Sequence, residues 1–481
     1  MSRSVLVNDV HSRLNPTRVR EVVSAASLEA VVEAVRAARR QGLPVCVAGG
    51  RHAMGGQAFA EGAVLVDTRG LDRLGRLDPA ASTVEVEAGI QWPALIDGLA
   101  RAQEGAAEPL TIAQKQTGAD RLTLGGAVAA NAHGRGLAMR PLVGDVEALA
   151  IVDAEGELHP ASRRENRDLF RLAVGGYGLF GVVASVTLRL VPRRKVERVV
   201  SLERVDELMG AFSRRIGEGC LYGDFQFAID ESSRDFLRHG ILSCYRPVPP
   251  STPLPPSPRE LSREDWRSLV ALAHTDRRRA FQRYAEHHLA TAGQVYWSDT
   301  HQLGAYLDDY HRALDRRLRS RAPASEVIGE LFVPRPALPE FMAEAAAALR
   351  RRGVVVIYGT VRLIERDSES FLEWAREPYA CVVLNLHTEH SRQGIAASTG
   401  AYRALVDLAL RRGGGYSLAH QRWATRTQVE SAYPRMPEFL RTKAERDPRG
   451  LFQSEWYRHH ADMFGPSRAS GVQERRARRY A

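Results

Sequence analysis

Apolar residues at helical spacing, Leu28, Val31, Val32, Val35 and Ala38, predict an amphipathic helix over 26–42, capped by Ser27 and closed by Gly42. A short apolar run from Pro44 to Ala48 then reads as a strand feeding a glycine loop, Gly49-Gly50-Arg51-His52-Ala53-Met54-Gly55-Gly56. Further strands are expected at Ala63 to Asp67 and, by alternation, at Thr83 to Ala88, followed by a helix from Trp92 to about Ala102. Residues 122–137 form a second glycine-rich segment in which small side chains dominate, so another surface can approach it closely. Strands at Val146 to Asp153 and at Leu158 flank a hairpin turn at Glu155-Gly156. A third glycine cluster opens residues 174–192 and runs into a long alternating strand, whose end at Pro192-Arg193-Arg194 marks a domain boundary.

Beyond that boundary the pattern changes. Seven prolines in twelve positions over 247–258 read as an extended surface loop. Helices are expected at about 262–292, 301–319 and 337–352, and strands at Glu326 to Val333, Val354 to Leu363, Cys381 to Thr388 and Tyr416 to Arg422. Alternation puts Tyr358, Thr360 and Arg362 on one face, Asn385 and His387 on another, and Tyr416, His420 and Arg422 on a third. Such polar faces fit a sheet that covers a polar site, and equally an antiparallel sheet with one side in solvent.

Length and composition add bounds. At 481 residues two domains are expected, and 44% hydrophobic with 26% charged residues describes a globular chain. No run approaches the roughly 20 apolar residues of a membrane span, and the N-terminus has no signal-peptide core. Four scattered cysteines without a C-x-x-C pair argue against a zinc site or disulfide scaffold and fit a reducing cytoplasm; no metal is expected. The net charge of +10 comes partly from a basic tail, 466–481, read as a solvated, mobile terminus. No aromatic-interleaved basic patch or helix-turn-helix points to nucleic acid, and a basic chain also suits an anionic cofactor or substrate.

The first loop carries the chemistry. Its glycines let the backbone turn sharply and approach a ligand, leaving N–H groups free for an anion such as a pyrophosphate. His52 would then stand over whatever the pyrophosphate carries. It is neither a Rossmann G-x-G-x-x-G nor a P-loop. Alone it also describes an ordinary turn with a solvated histidine, so the other segments decide.

Together these segments resemble the flavoprotein family of vanillyl-alcohol oxidase and p-cresol methylhydroxylase, nearest its sugar-lactone and alditol oxidase branch. The resemblance rests on Ala48-Gly49-Gly50-Arg51-His52-Ala53, on Leu124-Gly125-Gly126-Ala127 through Ala132-His133-Gly134, and on Gly175-Gly176-Tyr177-Gly178-Leu179-Phe180-Gly181-Val182. It also rests on Tyr433-Pro434-Arg435 through Lys443 to Asp447-Pro448-Arg449-Gly450-Leu451-Phe452. It is strong over about 20–195, thin from 196 to 350, and returns over 354–460. It implies an α+β fold: a two-part FAD-binding domain (1–195), a substrate domain on an antiparallel sheet with flanking helices (196–422), and a C-terminal segment (423–465) returning to the first.

The resemblance implies FAD held by Gly49, Gly50, Arg51, His52, Ala53, Met54 and Gly55, with the flavin joined covalently to His52. Gly125, Gly126, Asn131, His133 and Gly134 would line the isoalloxazine and phosphates, and Gly181 and Val182 the adenosine part. Ala119 falls where bicovalent members place a second attachment cysteine. Arg362 matches the arginine of the alditol oxidases' Glu-x-Arg strand, with Thr360 at the glutamate position. His420 and Arg422 lie near the branch's His-Trp-Gly-Lys segment. These three are the expected catalytic residues, as base or flavin-stabilising donor. The implied activity is oxidation of an alcohol (a sugar, polyol or lactone) by hydride transfer to FAD, with O2 reoxidising it. A dehydrogenase with another acceptor is the alternative. So is a non-catalytic basic protein on a degenerate flavin fold, which the intact glycine segments oppose.

Overall fold

The computed structural model describes residues 4–304, 307 and 310–465. The basic tail lies outside them, as does part of the helix expected at 301–319. Ser27 does cap the first helix, Leu28–Arg40, its side chain accepting from the Ala30 N–H, and Val31, Ala34, Val35 and Ala38 are buried. That face packs on a three-stranded parallel sheet in the order Glu21–Ser24, Val64–Asp67, Val45–Ala48. A second sheet is antiparallel, in the order Leu158–Ser162, Val146–Val152, Val182–Pro192, Thr83–Glu87, Leu74–Asp78, with Leu110–Ile112 also paired to Val182–Pro192. Helix Trp92–Ala102 buries Trp92, Leu95, Ile96 and Leu99 in the core against it.

From Lys195 onward the chain builds one eight-stranded sheet, antiparallel at every pairing. At its centre Ala324–Pro334, Tyr379–Glu389, Val356–Ile364 and Tyr222–Phe227 lie side by side. One face, carrying Leu331, Val333, Val361, Leu363, Val382 and Leu384, shares a core with helices Val205–Gly217, Leu338–Arg352 and Arg392–Leu410. The register places Glu326, Glu330, Tyr358, Thr360, Arg362, Asn385 and His387 on the opposite face. The polar faces of three strands therefore form one surface turned to the molecule's interior, where Thr360 and Arg362 are buried. The fold is α+β.

Three expectations need correction. The stretch from Tyr416 to Arg422 is not a strand: pairing stops after Gly415–Tyr416, opposite Phe332 and Leu331. Ser417 N–H still donates to the Glu330 carbonyl, but beyond it the Leu418 carbonyl accepts from Gln57 Nε2 and the Ala419 carbonyl from Met54 N–H. This loop is thus held on the first glycine loop, and Tyr416, His420 and Arg422 share no strand face. The helical region at 262–292 is two helices, Arg263–Thr275 and Arg277–Ala290. They part at Asp276, whose side chain accepts from Arg279 N–H and caps the second. Among the described residues helix at 301–319 is confined to a short turn, Thr300–Gln302, and to Tyr310–Leu318.

The C-terminal signature proves structural. Lys443 Nζ and Asp447 Oδ2 form a buried ion pair at 2.5 Å, and the Asp447 carboxylate also accepts the Leu451 and Phe452 N–H groups. Leu451 and Gln453 then bond to the backbone of Val45, bringing Phe452 alongside the strand that feeds the first loop. Among the described residues no helix is long and apolar enough to cross a membrane.

Candidate active site

Val45–Ala48 delivers the first glycine loop to the interior, where Arg51 holds a left-handed backbone at φ 59°. That conformation is costly for a side-chain-bearing residue. Its guanidinium bonds Asp67 at 2.9 Å, at the end of the neighbouring strand, which offsets part of the cost. The loop is pressed between two others. A Cβ on Gly49 would lie 2.0 Å from Thr123 Oγ1, and one on Gly55 2.4 Å from the His420 carbonyl. Bulkier residues at either place would push the glycine loop, the second glycine segment and the His420 loop apart.

These elements enclose a cavity of about 240 Å³. Gly49, Gly50, Arg51, His52, Ala53, Met54, Gly125, Gly126, Asn131, His133 and Gly181 line it, and so do Arg362 and His420 from the other side. Gly55, Gly134 and Val182 stand behind the lining; Val182 is in the core of the parallel sheet and Gly134 N–H bonds Gln114. Arg422 is not among the lining residues: its Nη1 donates to the Glu455 carbonyl at 2.5 Å. Losing the strand that was expected to aim it, Arg422 serves packing rather than the cavity. Asn131 lines the wall, but its amide is spent on Val143 N–H and Asp367.

Glu330, which sequence reasoning missed, organises the polar wall. It is largely enclosed, and its carboxylate lies 2.8 Å from His133 Nε2 and 3.3 Å from His420 Nε2. Burial alone would push its carboxyl up, but His133 and His420 outweigh burial and hold it well below the usual range. The His133 Nδ1 faces the Gly134 carbonyl at 3.1 Å, so the ring has an oxygen acceptor on each side. The carboxylate likewise draws the His420 proton to Nε2, leaving a lone pair on Nδ1. That Nδ1 is buried with no hydrogen-bond partner among the described residues, as are Arg362 Nε, Arg51 Nε and Gln116 Oε1, all from residues lining this cavity. Such orphaned polar atoms are costly in an apolar interior and mark a wall built to meet a polar ligand.

His52 Nδ1 sits 2.8 Å from Nε2 of His11, a second missed residue. Burial, reinforced by His11, pushes His52 down to about 3; burial likewise pushes His11 down to about 4 and His460 to about 3. All three imidazoles are therefore neutral in the folded chain at physiological pH. The unfolded imidazole titrates near 6.5, so below that the unfolded chain takes up protons the folded one cannot. Stability is expected to be level above pH 7 and to fall from about pH 6.5 downward, each buried imidazole contributing about 1.4 kcal/mol per pH unit. Denaturant unfolding at pH 8, 6.5 and 5 measures this; equal stability at pH 8 and 5 would refute it.

Comparisons with known proteins agree with this geometry. Residues 19–162 match the model of an FAD binding domain. Similar proteins include decaprenylphosphoryl-beta-D-ribose oxidase of Mycolicibacterium smegmatis, 30% identical over 37% of this chain and 38% of that one. L-gulonolactone oxidase of Mus musculus is 30% identical over 35% of this chain and 36% of its own. L-gulono-1,4-lactone dehydrogenase of Mycobacterium tuberculosis is 23% identical over 92% and 96%. Apart from such full-length likeness, the chain spans two fifths or less of the relatives it matches first. A domain model, a glycine cradle and unmet polar atoms in one cavity agree that the cofactor is FAD, and residues 19–162 are an FAD binding domain similar to those of sugar-lactone oxidases and dehydrogenases.

Proposed function

We propose that the chain is an FAD-dependent oxidoreductase that oxidises a CH–OH group of a small molecule, a sugar lactone, polyol or related alcohol, with O2 as acceptor. One observation carries this: the glycine loop with His52 shares a cavity with Arg362 and the Glu330–His133–His420 chain. FAD, when bound, supplies the hydride acceptor. His420 Nδ1 takes the hydroxyl proton, while Glu330 fixes the tautomer that exposes its lone pair. Arg362 places a fixed positive charge where negative charge builds up as the hydride departs. A non-catalytic binding protein would leave the unpartnered Arg362 Nε and His420 Nδ1 without purpose. The full-length likeness to a protein named a dehydrogenase favours a dehydrogenase with another acceptor as the second reading.

In this reading 1–195 is a two-part FAD-binding domain, 196–422 the substrate domain and 423–465 a returning segment. Four free, buried cysteines support a reducing cytoplasm. Neutral His52, with its lone pair kept free of a proton, would serve as the covalent attachment point. Flavin fluorescence is then expected to stay with the wild-type polypeptide on a denaturing gel and to leave it in His52→Ala. Flavin released intact from wild type removes the linkage and spares the rest. Anaerobic bleaching of the flavin by a panel of sugar lactones and polyols, then exposure to air, tests the activity. No bleaching by any member overturns the substrate class, and slow recolouring in air selects the dehydrogenase.

A further inference from the structure

A second cluster occupies the same polar sheet face, four residues along the strand from Glu330. Glu326 is buried there among three histidines. His274 Nε2 lies 3.0 Å from its Oε1, His311 Nδ1 3.0 Å from its Oε2, and His387 Nδ1 3.7 Å from Oε1. The four come from separate elements: His274 ends helix Arg263–Thr275, His311 opens helix Tyr310–Leu318, and Glu326 and His387 face each other across paired strands. A cavity of about 180 Å³, walled in part by Glu326, Tyr310, Tyr358 and Asn385, adjoins them.

Hydrogen bonding among the described residues leaves one ring nitrogen of this group unmet. His274 Nδ1 faces the Val270 carbonyl at 2.8 Å, and its Nε2 meets Glu326 Oε1 at 3.0 Å. His387 Nδ1 is buried without a hydrogen-bond partner among the described residues. Tyr310 O–H also donates to the carboxylate. Ring nitrogens of three histidines thus meet at one buried carboxylate.

We infer that His274, His311, His387 and Glu326 form a binding site for a divalent transition-metal ion of the zinc class. Three imidazole nitrogens and a carboxylate oxygen suit such an ion, and a set closed by four protein ligands is the structural type. The donor atoms of His274, Glu326 and His387 already lie within 4.8 Å of one another. An ion about 2.0–2.2 Å from each donor requires these three to draw in, and His311, which meets the carboxylate's other oxygen, to draw in further. The His274 bond to Val270 is the outer contact that commonly orients a metal-ligating imidazole. Bound there, the ion pins two helices onto the sheet beside the active-site cavity. The site does not depend on the flavin chemistry proposed above.

The test uses full-length, FAD-loaded protein stripped with chelator, incubated with Zn2+ or Co2+ and desalted. Metal is counted by mass spectrometry and Co2+ geometry by visible absorption. Wild type is expected to retain one ion per chain, with the bands of tetrahedral Co2+ and a raised melting temperature that chelator reverses. His387→Ala and Glu326→Gln should lose most of the metal while keeping their flavin. Cys381→Ser should keep it, because Cys381 belongs to the His133–Glu330 group instead. Wild type that retains no metal overturns the proposal; so do His387→Ala and Glu326→Gln that retain it in full, or loss in Cys381→Ser, which places the ion at the other group.

Discussion

Arg362→Ala is expected to slow reduction of the bound flavin by substrate on the order of 10²-fold, while FAD stays in place. Arg362 reaches the cavity from the eight-stranded sheet, and the loops and glycine segments facing it provide the remaining wall. Removing it therefore takes a fixed charge from the reacting end without touching the loop built around His52. The side chain is buried, its Nε has no hydrogen-bond partner among the described residues, and its guanidinium also bonds Tyr358 from the same sheet face. Rapid mixing under anaerobic conditions measures the reduction rate, and flavin absorbance after gel filtration measures retention. A normal rate would take Arg362 out of the chemistry. Loss of flavin would show that its charge belongs to cofactor binding instead.

Glu330→Gln should cost about 3–5 kcal/mol of stability, the usual result of leaving a buried charge without its partner. His133 and His420, whose ring nitrogens meet the carboxylate, are the partners left without it. The pH dependence separates charge from packing. The Glu330 carboxyl is held well below the usual range in the folded chain, so its contribution is complete above the unfolded value of about 4.3. It is lost as pH falls through the folded value. The gap between wild type and Glu330→Gln should thus be full at pH 7 and shrink below about pH 4. A gap of the same size at both pH values would mean that only shape was lost. Flavin reduction should also slow, because His420 no longer has the carboxylate that fixes its tautomer.

Much of this site is legible in the sequence because its first half is local. A strand, a glycine loop and a capped helix are each settled within about a dozen residues, and the glycine segments stand out by composition. The face of Arg362 follows from alternation inside a strand paired on both sides. The same alternation misleads at Tyr416 to Arg422, where the backbone partners come from Met54 and Gln57, and Arg422 was misplaced with it. Glu330 follows from period two along Glu326 to Val333, once that strand is read for faces as its neighbours were. His11 could not be found this way: its contact with His52 spans 41 residues and carries no periodicity. The histidines around Glu326 are equally silent, since four elements must assemble before they meet.

The pairing of Leu451 and Gln453 with Val45 bears on the order of synthesis. The strand that presents the His52 loop leaves the ribosome early, yet its edge is completed by residues made roughly 400 positions later. Closing so long a loop costs little more in equilibrium free energy than closing one of half the length, but it makes the contact a late one. Until then Val45 has an open backbone edge, and the buried Lys443–Asp447 pair that shapes the closing segment does not exist. The flavin seat therefore becomes whole only after translation has passed the Asp447 turn. A nascent chain stalled short of it carries all three glycine segments and still lacks a finished place for the cofactor.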